Sequence, residues 1–309
     1  MLARWLAVGI AMAGSAPDWR VAAAAPVAGE QFAFESTVEQ RFSVDVRVRG
    51  VVLRTIEQSV VDAATWTVAL ATGDAGALLA TVDYGPCPTR VVARGAVQEG
   101  NGPCDRRRFA VAAAAAPDDA PGGEDGSVRL LAEPGSEASA PPTEYAIPRP
   151  VAPRLAERVL RDVREAWRGG VLAGHLSALT LRAGEAFELP VELGAALLGD
   201  PLFGATIELV RVTPTDRRDE AGRAAVAFAT EVRATLAAAP KDGPAMATTY
   251  RLSGELLIGA TDGRLLAASL EGPLESTASS AAGEEPGRAV ELAGTGMLRW
   301  TYRARPIAR

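Results

Sequence analysis

The chain has 309 residues, 48% of them hydrophobic and 23% charged, with a formal net charge of -6. That apolar content supports a packed core rather than a disordered chain, and the acidic balance argues against nucleic acid as a bulk electrostatic partner. Aromatics make up only 5% and Lys241 is the sole lysine, so the core draws on Val, Leu and Ala, and nearly every fixed cation is an arginine.

The N-terminus reads as an export signal over residues 1–25. Arg4 supplies a positive charge and the short run WLAVGIAMAG follows it. That run is too short to span a bilayer. Small residues at Gly14–Ala16 and again at Ala22–Ala25 offer two cleavage sites, and a buried N-terminal helix is the alternative. No cysteine follows the run, so no lipid-attachment site is expected. No later stretch is apolar enough to cross a membrane, so the protein is not transmembrane once the signal is removed. Residues 26–309 are expected to form a single β-rich domain, exported to the periplasm or beyond the cell.

Phe32, Phe34, Val38, Phe42, Val44, Val46 and Val48 share one parity, and Glu35, Thr37, Glu39, Arg41, Ser43, Asp45 and Arg47 share the other. Alternation sustained this far predicts a long strand, wet on one face, in a curved antiparallel sheet. Gly50 breaks it and VVLRTIEQSVV reads as the return strand. A second hairpin follows, with Trp66, Val68 and Leu70 on one parity before the turn TGDAG.

Cys87 and Cys104 come next, each after a Gly-Pro pair that marks a turn. Two turn-flanked thiols in an exported chain predict a disulfide. The loop it closes implies about 3 kcal/mol in the chain-entropy model. Residues 116–150, rich in Pro, Gly, Ser, Ala and acid, read as a mobile insert around the short strand SVRLLAE. The segment 151–168 is the one convincing helix, with Pro153 in its first turn and an apolar stripe of Leu155, Val159, Leu160, Val163 and Trp167. It reads as a lid on the sheet.

Asp219 with Gly222, and Asp262 with Gly263, each precede an apolar strand, as TGDAG does. Together they suggest a meander of hairpins. Leu252, Leu256 and Ile258 line up before the last of these turns, and Leu266 and Leu270 after it. Arg251, Ser253, Glu255, Ser269 and Glu271 take the opposite face. The final strand carries Leu298, Trp300 and Tyr302 on one face and is expected to close the sheet. The fold class is therefore mainly β: a large curved antiparallel sheet or half-barrel of long hairpins with one amphipathic helix packed in or across it.

Reactive chemistry is sparse. His175 is the only histidine, no GxSxG surrounds any serine, and no phosphate-binding glycine motif is present. No catalytic residue, cofactor or metal ligand is assigned. Asp118, Asp119, Glu124 and Asp125 cluster in a Gly-rich loop without the DxDxDG calcium pattern, and a solvated acidic loop is the alternative to an ion site. Arg106, Arg107 and Arg108 form a basic cluster that reads either as a solvated loop or as a site for phosphate or anionic lipid.

The segment Gly184–Pro190 (GEAFELP), the hairpin Gly254–Leu265 and the paired long strands resemble secreted bacterial β-proteins of unassigned function. More loosely, the pattern is similar to the half-barrels of the lipoprotein-carrier and mycobacterial lipid-carrier type. That resemblance implies a sheet wrapped around a helix, with acyl chains on its concave face, and transfers no ligand-binding residue. Three readings follow. The first is a non-enzymatic envelope protein binding an apolar ligand (a lipid or acyl chain) or an envelope protein partner in the concave face. The second is a purely structural or interaction module. The third is a hydrolase using carboxylates from distant strands.

Overall fold

The computed structural model describes residues 18–22, 28–72, 78–113, 126–132, 153–167, 172–198, 201–202, 204–220, 222–238, 245–279 and 290–307. Residues 1–17 and 23–25 of the expected 1–25 signal, residues 73–76 of the turn TGDAG and the four carboxylates of the acidic insert lie outside them. In chain order the elements are β1 (Asp18–Trp19), β2 (Gln31–Val48), β3 (Val51–Thr72), β4 (Leu78–Tyr84), β5 (Pro88–Ala93), β6 (Ala96–Asn101), β7 (Arg108–Ala113) and β8 (Gly126–Ala132). Helices α1 (Pro153–Trp167) and α2 (Ala173–Ser177) follow, then β9 (Leu181–Arg182), β10 (Phe187–Glu188) and α3 (Val191–Leu198). The chain ends in β11 (Thr206–Glu220), β12 (Arg223–Ala238), β13 (Ala245–Gly259), β14 (Leu265–Ser279) and β15 (Val290–Pro306).

Thirteen of these strands form one open antiparallel sheet, ordered β10, β11, β12, β13, β14, β15, β2, β3, β4, β7, β8, with β5 and β6 branching from β3. The last strand does not close the sheet as expected. It lies between β14 and β2 and joins the two halves through a register that runs from Val290↔Val48 to Pro306↔Phe32. The edges are kept short: β10 has 2 residues and β6 has 6. Short edges limit the unpaired backbone offered to another chain. The return strand and the next hairpin strand fuse into a single β3 of 22 residues, because neither Gly nor Pro separates Val60 from Trp66.

Strands of 15 to 22 residues are far longer than the usual 5 to 6 or so, and at about 3.3 Å per residue the longest reaches roughly 70 Å. Such a sheet must coil. Glycines mark where it does. Gly254 faces Leu270, two residues before Gly272, and Gly272 faces Leu298, two residues after Gly296. The three form a diagonal across β13, β14 and β15 on the inner face. A Cβ at any of them would meet a backbone oxygen of the adjoining strand: Ser269, Arg251 and Arg41 respectively. A line without side chains lets neighbouring strands bend across one another. Pro273 sits at the same bend, where the β13–β14 ladder skips Arg251 and Leu252. Pro214 sits at a register shift in β11. Both prolines thus occupy places where a ladder hydrogen bond is already absent.

Parity decides the two faces. Phe32, Phe34, Trp66, Val68, Leu70, Val226, Phe228, Leu256, Ile258, Leu270 and Leu298 are buried on the inner face. The outer face is polar and carries cross-strand ion pairs such as Arg305–Glu35 at 3.0 Å and Arg299–Glu271 at 3.9 Å, exposed pairs that each add at most about 1 kcal/mol. One residue departs from the expected parity. Leu266 is the extra residue of a bulge between Ile258↔Leu265 and Leu257↔Ala267. It joins Ala225, Ala227 and Leu257 in a small cluster apart from the main core, away from Leu270.

Among the described residues three helices, not one, pack against the sheet. Helix α1 lies on β3, β4, β7 and β8, and α3 lies on β11. The short α2 sets Ala173 against the turn at Gly263.

Candidate functional site beneath the first helix

The inner face under α1 is paved with aromatic rings. Phe34 stacks on Trp66 with centroids 5.3 Å apart, and Trp66 adjoins both Tyr84 and Tyr302 at 6.3 Å. Tyr84 meets Phe109 edge-on at 5.8 Å, and Trp300 lies 6.0 Å from Tyr302. The strands deliver these rings because Phe34, Trp66 and Tyr84 stand opposite one another in successive ladders.

Helix α1 lowers a carboxylate onto this floor. Asp162 is 3% exposed. The Tyr84 hydroxyl donates to Asp162 Oδ2 at 2.5 Å. Arg158 Nε lies 3.8 Å away, one helical turn back, and Arg161 reaches Oδ1 at 3.4 Å. The Arg158 guanidinium also stands 5.9 Å over the Tyr84 ring. Burial, and then the charge of Asp162, push the Tyr84 phenol far above its ordinary range. Burial, then Glu165 and Asp162, does the same to Tyr302. Both phenols are therefore hydrogen-bond donors at any physiological pH. Trp300 Nε1 donates to Ser36 at 3.2 Å. Trp66 Nε1 and the Tyr302 hydroxyl are buried and have no hydrogen-bond partner among the described residues. Among the described residues, one aromatic floor thus carries two buried donors that lack an acceptor, a state that native structures seldom leave unfilled.

The apolar floor continues past α1. Along β2 it runs through Val38, Phe42, Val44 and Val46, which are half-buried, with Gln40 interrupting the row between Val38 and Phe42. Ile56 faces Val44, Leu292 faces Val46, and Gly294 and Gly296 face Val44 and Phe42. The glycines leave no side chain between these rows, so the floor forms a shallow trough leading away from Trp66 and Tyr302. Gln58 and Asp62 border it from β3, facing Phe42 and Val38.

A second polar cluster has a structural role. Arg264 is 5% exposed, its guanidinium 3.7 Å over the Phe32 ring. It reaches Glu30 at 3.4 Å and Asp262 at 3.7 Å, and Asp262 also binds Arg223. Burial draws the Arg264 guanidinium below its ordinary range, opposed by Asp262 and Glu30. The tripeptide Asp262–Gly263–Arg264 thus ties the β13–β14 turn to the start of β12 and to the lead-in of β2. Ala22 N–H donates to Ala260 O at 2.8 Å and fastens the N-terminal segment to the same turn.

The residues singled out from sequence do not converge. Cys87 and Cys104 are both buried as separate thiols, and the expected disulfide is not formed. Hydrogen bonds hold their loop instead: Gly102 N–H donates to Cys87 O at 2.7 Å, Cys87 N–H to Asp105 Oδ1 at 2.8 Å, and the Cys87 thiol turns to Gly85 O at 3.6 Å. Burial pushes the Cys87 thiol up, with Arg158 opposing. Arg108 is engaged by Asp83 at 3.0 Å, and Arg106 takes a turn conformation at φ 52°. His175 is half-buried in α2. Among the described residues, no three His, Cys, Asp or Glu side chains are grouped to hold a metal, and no helix is long and apolar enough to cross a membrane.

Sequence reading missed Asp162. Its signal was there, three residues after Val159 and seven after Leu155, a carboxylate inside the buried stripe of a helix.

No protein-family model matches the chain, and no curated protein matches it. Among solved structures it is similar to lipovitellin, in a study of lipid–protein interactions, at 10% identity and TM-score 0.32 over 92% of this chain and 26% of that one. It is also similar to the pilotin–secretin AspS–GspD complex of ETEC (12%, TM-score 0.17, 92% and 50%) and to OpdQ of Pseudomonas aeruginosa (6%, TM-score 0.18, 90% and 98%). The chain spans about a quarter of the lipovitellin chain. At these scores the likenesses carry no argument about function.

Proposed function

We propose that this chain is an exported, non-enzymatic protein of the cell envelope that holds an apolar ligand, a lipid or acyl chain with a polar head, along the inner face of its sheet. The observation that supports it is the floor that outlasts its cover. Beneath α1 the inner face is packed, but along Val38, Phe42, Val44 and Val46, a row broken by Gln40, it is only half-buried. At the end of that row, under α1, Trp66 Nε1 and the Tyr302 hydroxyl are buried donors without an acceptor among the described residues. A head-group oxygen that entered beneath α1 would satisfy them, and each methylene laid on the trough contributes about 0.8 kcal/mol. Export rests on the N-terminal charge, apolar run and small-residue sites. The absence of catalysis rests on a single histidine and the lack of any nucleophile motif.

Native mass spectrometry of the purified protein with lipid extract tests the ligand. An adduct of lipid mass on the folded protein is expected, weaker in a Trp66→Phe/Tyr302→Phe variant. A bare protein mass throughout would remove the ligand and leave the second reading, a structural or interaction module. One observation favours that second reading: under α1 the inner face is filled by its own side chains, with Val68, Val82 and Phe109 fully buried.

A further inference from the structure

The far end of the trough is the tip of the β2–β3 hairpin, and its composition is unlike a solvent-facing turn. Arg49 and Gly50 both take positive φ, 52° and 74°, which makes a two-residue turn of the kind that favours Asn-Gly. The three residues after it are Val51, Val52 and Leu53, exposed to 62%, 45% and 65%. Leu53 lies at a register shift, between Arg47↔Val52 and Val46↔Arg54. A bulge there re-aims its side chain and ends the regular ladder. Consecutive large apolar side chains at the outermost point of a hairpin lose free energy in water and add nothing to the core.

Within the hairpin tip itself the charges are basic. Between Asp45 and Glu57 the hairpin carries Arg47, Arg49 and Arg54 and no acid. Asp45 is engaged by Arg47 at 3.1 Å and by Thr55 at 2.8 Å, and Glu291 faces Arg47 from β15. In sequence, Arg49 and Arg54 flank the apolar triplet on a chain whose net charge is -6. A local basic collar on an acidic protein points to an anionic partner. The patch is three side chains wide, far short of the roughly 800 Å² per partner of a stable protein interface. Reversible binding at a lipid surface needs no such area, since a few apolar side chains seat below the headgroups while basic ones meet the phosphates.

We propose that the β2–β3 tip is a membrane-docking loop: Val51, Val52 and Leu53 insert into the interface of an anionic bilayer, and Arg49 and Arg54 meet its phosphates. This stands apart from the ligand reading, since a tip can dock whether or not the trough is filled.

The test is flotation with vesicles of phosphatidylglycerol and phosphatidylcholine against vesicles of phosphatidylcholine alone, every variant carrying the same N-terminus. Wild type partitions onto the anionic vesicles. V51S/V52S/L53S lowers that partition at least tenfold, and R49Q/R54Q lowers it by roughly fivefold per arginine, with high salt doing the same to wild type. Val97→Ser, at a valine 50% exposed on the β5–β6 hairpin, leaves it unchanged. Thermal melts matched to wild type establish that each variant is folded. Equal binding to both vesicle types, full binding by the triple variant, or an equal loss from Val97→Ser would overturn the proposal. So would a dimer of wild type that the triple variant dissolves, because the tip would then serve a second copy.

Discussion

Gly272→Ala puts one methyl group where the coiling of the sheet leaves no room. Its Cβ would collide with the Arg251 carbonyl oxygen and come to 2.9 Å from Leu252 Cα, both of them backbone in the adjoining strand. A side chain in the way can rotate. A backbone hydrogen-bonded into β12 on its other side moves only if the ladder moves with it. Overpacking a core by one methyl costs typically 1–3 kcal/mol, so about 3 kcal/mol is expected here, where nothing flexible can give way. For a domain of this size each kcal/mol lowers the melting temperature by about 2–4 °C, so a fall of roughly 6–12 °C is expected. Gly174→Ala is the control: a Cβ there meets nothing within 4 Å, and its place in α2 makes the change neutral or stabilising by up to about 1 kcal/mol. Urea and thermal unfolding followed by circular dichroism measure both. A Gly272→Ala protein as stable as Gly174→Ala would show that the strands do not converge along the Gly254–Gly272–Gly296 line, and the curvature argument would fail with it.

Asp162→Ala strands Tyr84 and its arginine neighbours and is expected to cost about 3–5 kcal/mol, most of it recovered in Asp162→Leu/Tyr84→Phe. A double-mutant cycle in urea checks this, and additive losses would refute the pairing. Asp262→Ala, which leaves buried Arg264 with only one of its two carboxylates and also strips Arg223 of its partner, is expected to destabilise by a similar amount, and a melt unchanged from wild type would show that the turn is not tied there. The phenols of Tyr84, Tyr250 and Tyr302 are all raised by burial. Their folded pKa values exceed the unfolded value of about 10. The stability linked to their protons is therefore complete below that pH and lost as pH rises beyond it. Tyrosinate absorbance from these three should appear only together with unfolding, and early titration of the folded protein would contradict their burial. Cys87 and Cys104 should resist alkylation while folded, and both should react in denaturant without reductant. No reaction in denaturant would mean that the disulfide forms after all.

Period-two alternation made the faces legible because it needs only local information. Phe32, Phe34, Trp66, Leu256 and Trp300 lie inward as their parity requires. Bulges defeat the same logic. Leu266 reads as inward beside Leu270, but one inserted residue turns it to the other side, and only the partner strand reveals the insertion. Strand order was illegible for a related reason. Nothing in ELAGTGMLRWTYRAR says that it pairs with both β14 and β2, since pairing between chain ends is a long-range choice. Helix α3 escaped notice because VELGAALL is short and apolar on most sides, without the stripe that exposed α1. At the site, Trp66 and Tyr302 were legible as core, but their unpaired donors appear only once every neighbour is in place.

The central claim is that an apolar ligand lies on the inner face of the sheet between Trp66 and Val46, and two neighbouring positions separate that face from its reverse. Val44 lies on the inner row opposite Ile56 and Gly294, and Ser43 lies on the outer row opposite Glu57 and Thr295. Native mass spectrometry of wild type, Val44→Asp and Ser43→Asp after exposure to the same lipid extract is the most direct measurement. The account predicts a lipid adduct on wild type and Ser43→Asp and its loss from Val44→Asp, in proteins of matched fold. An adduct that survives Val44→Asp, or that Ser43→Asp abolishes equally, would contradict it.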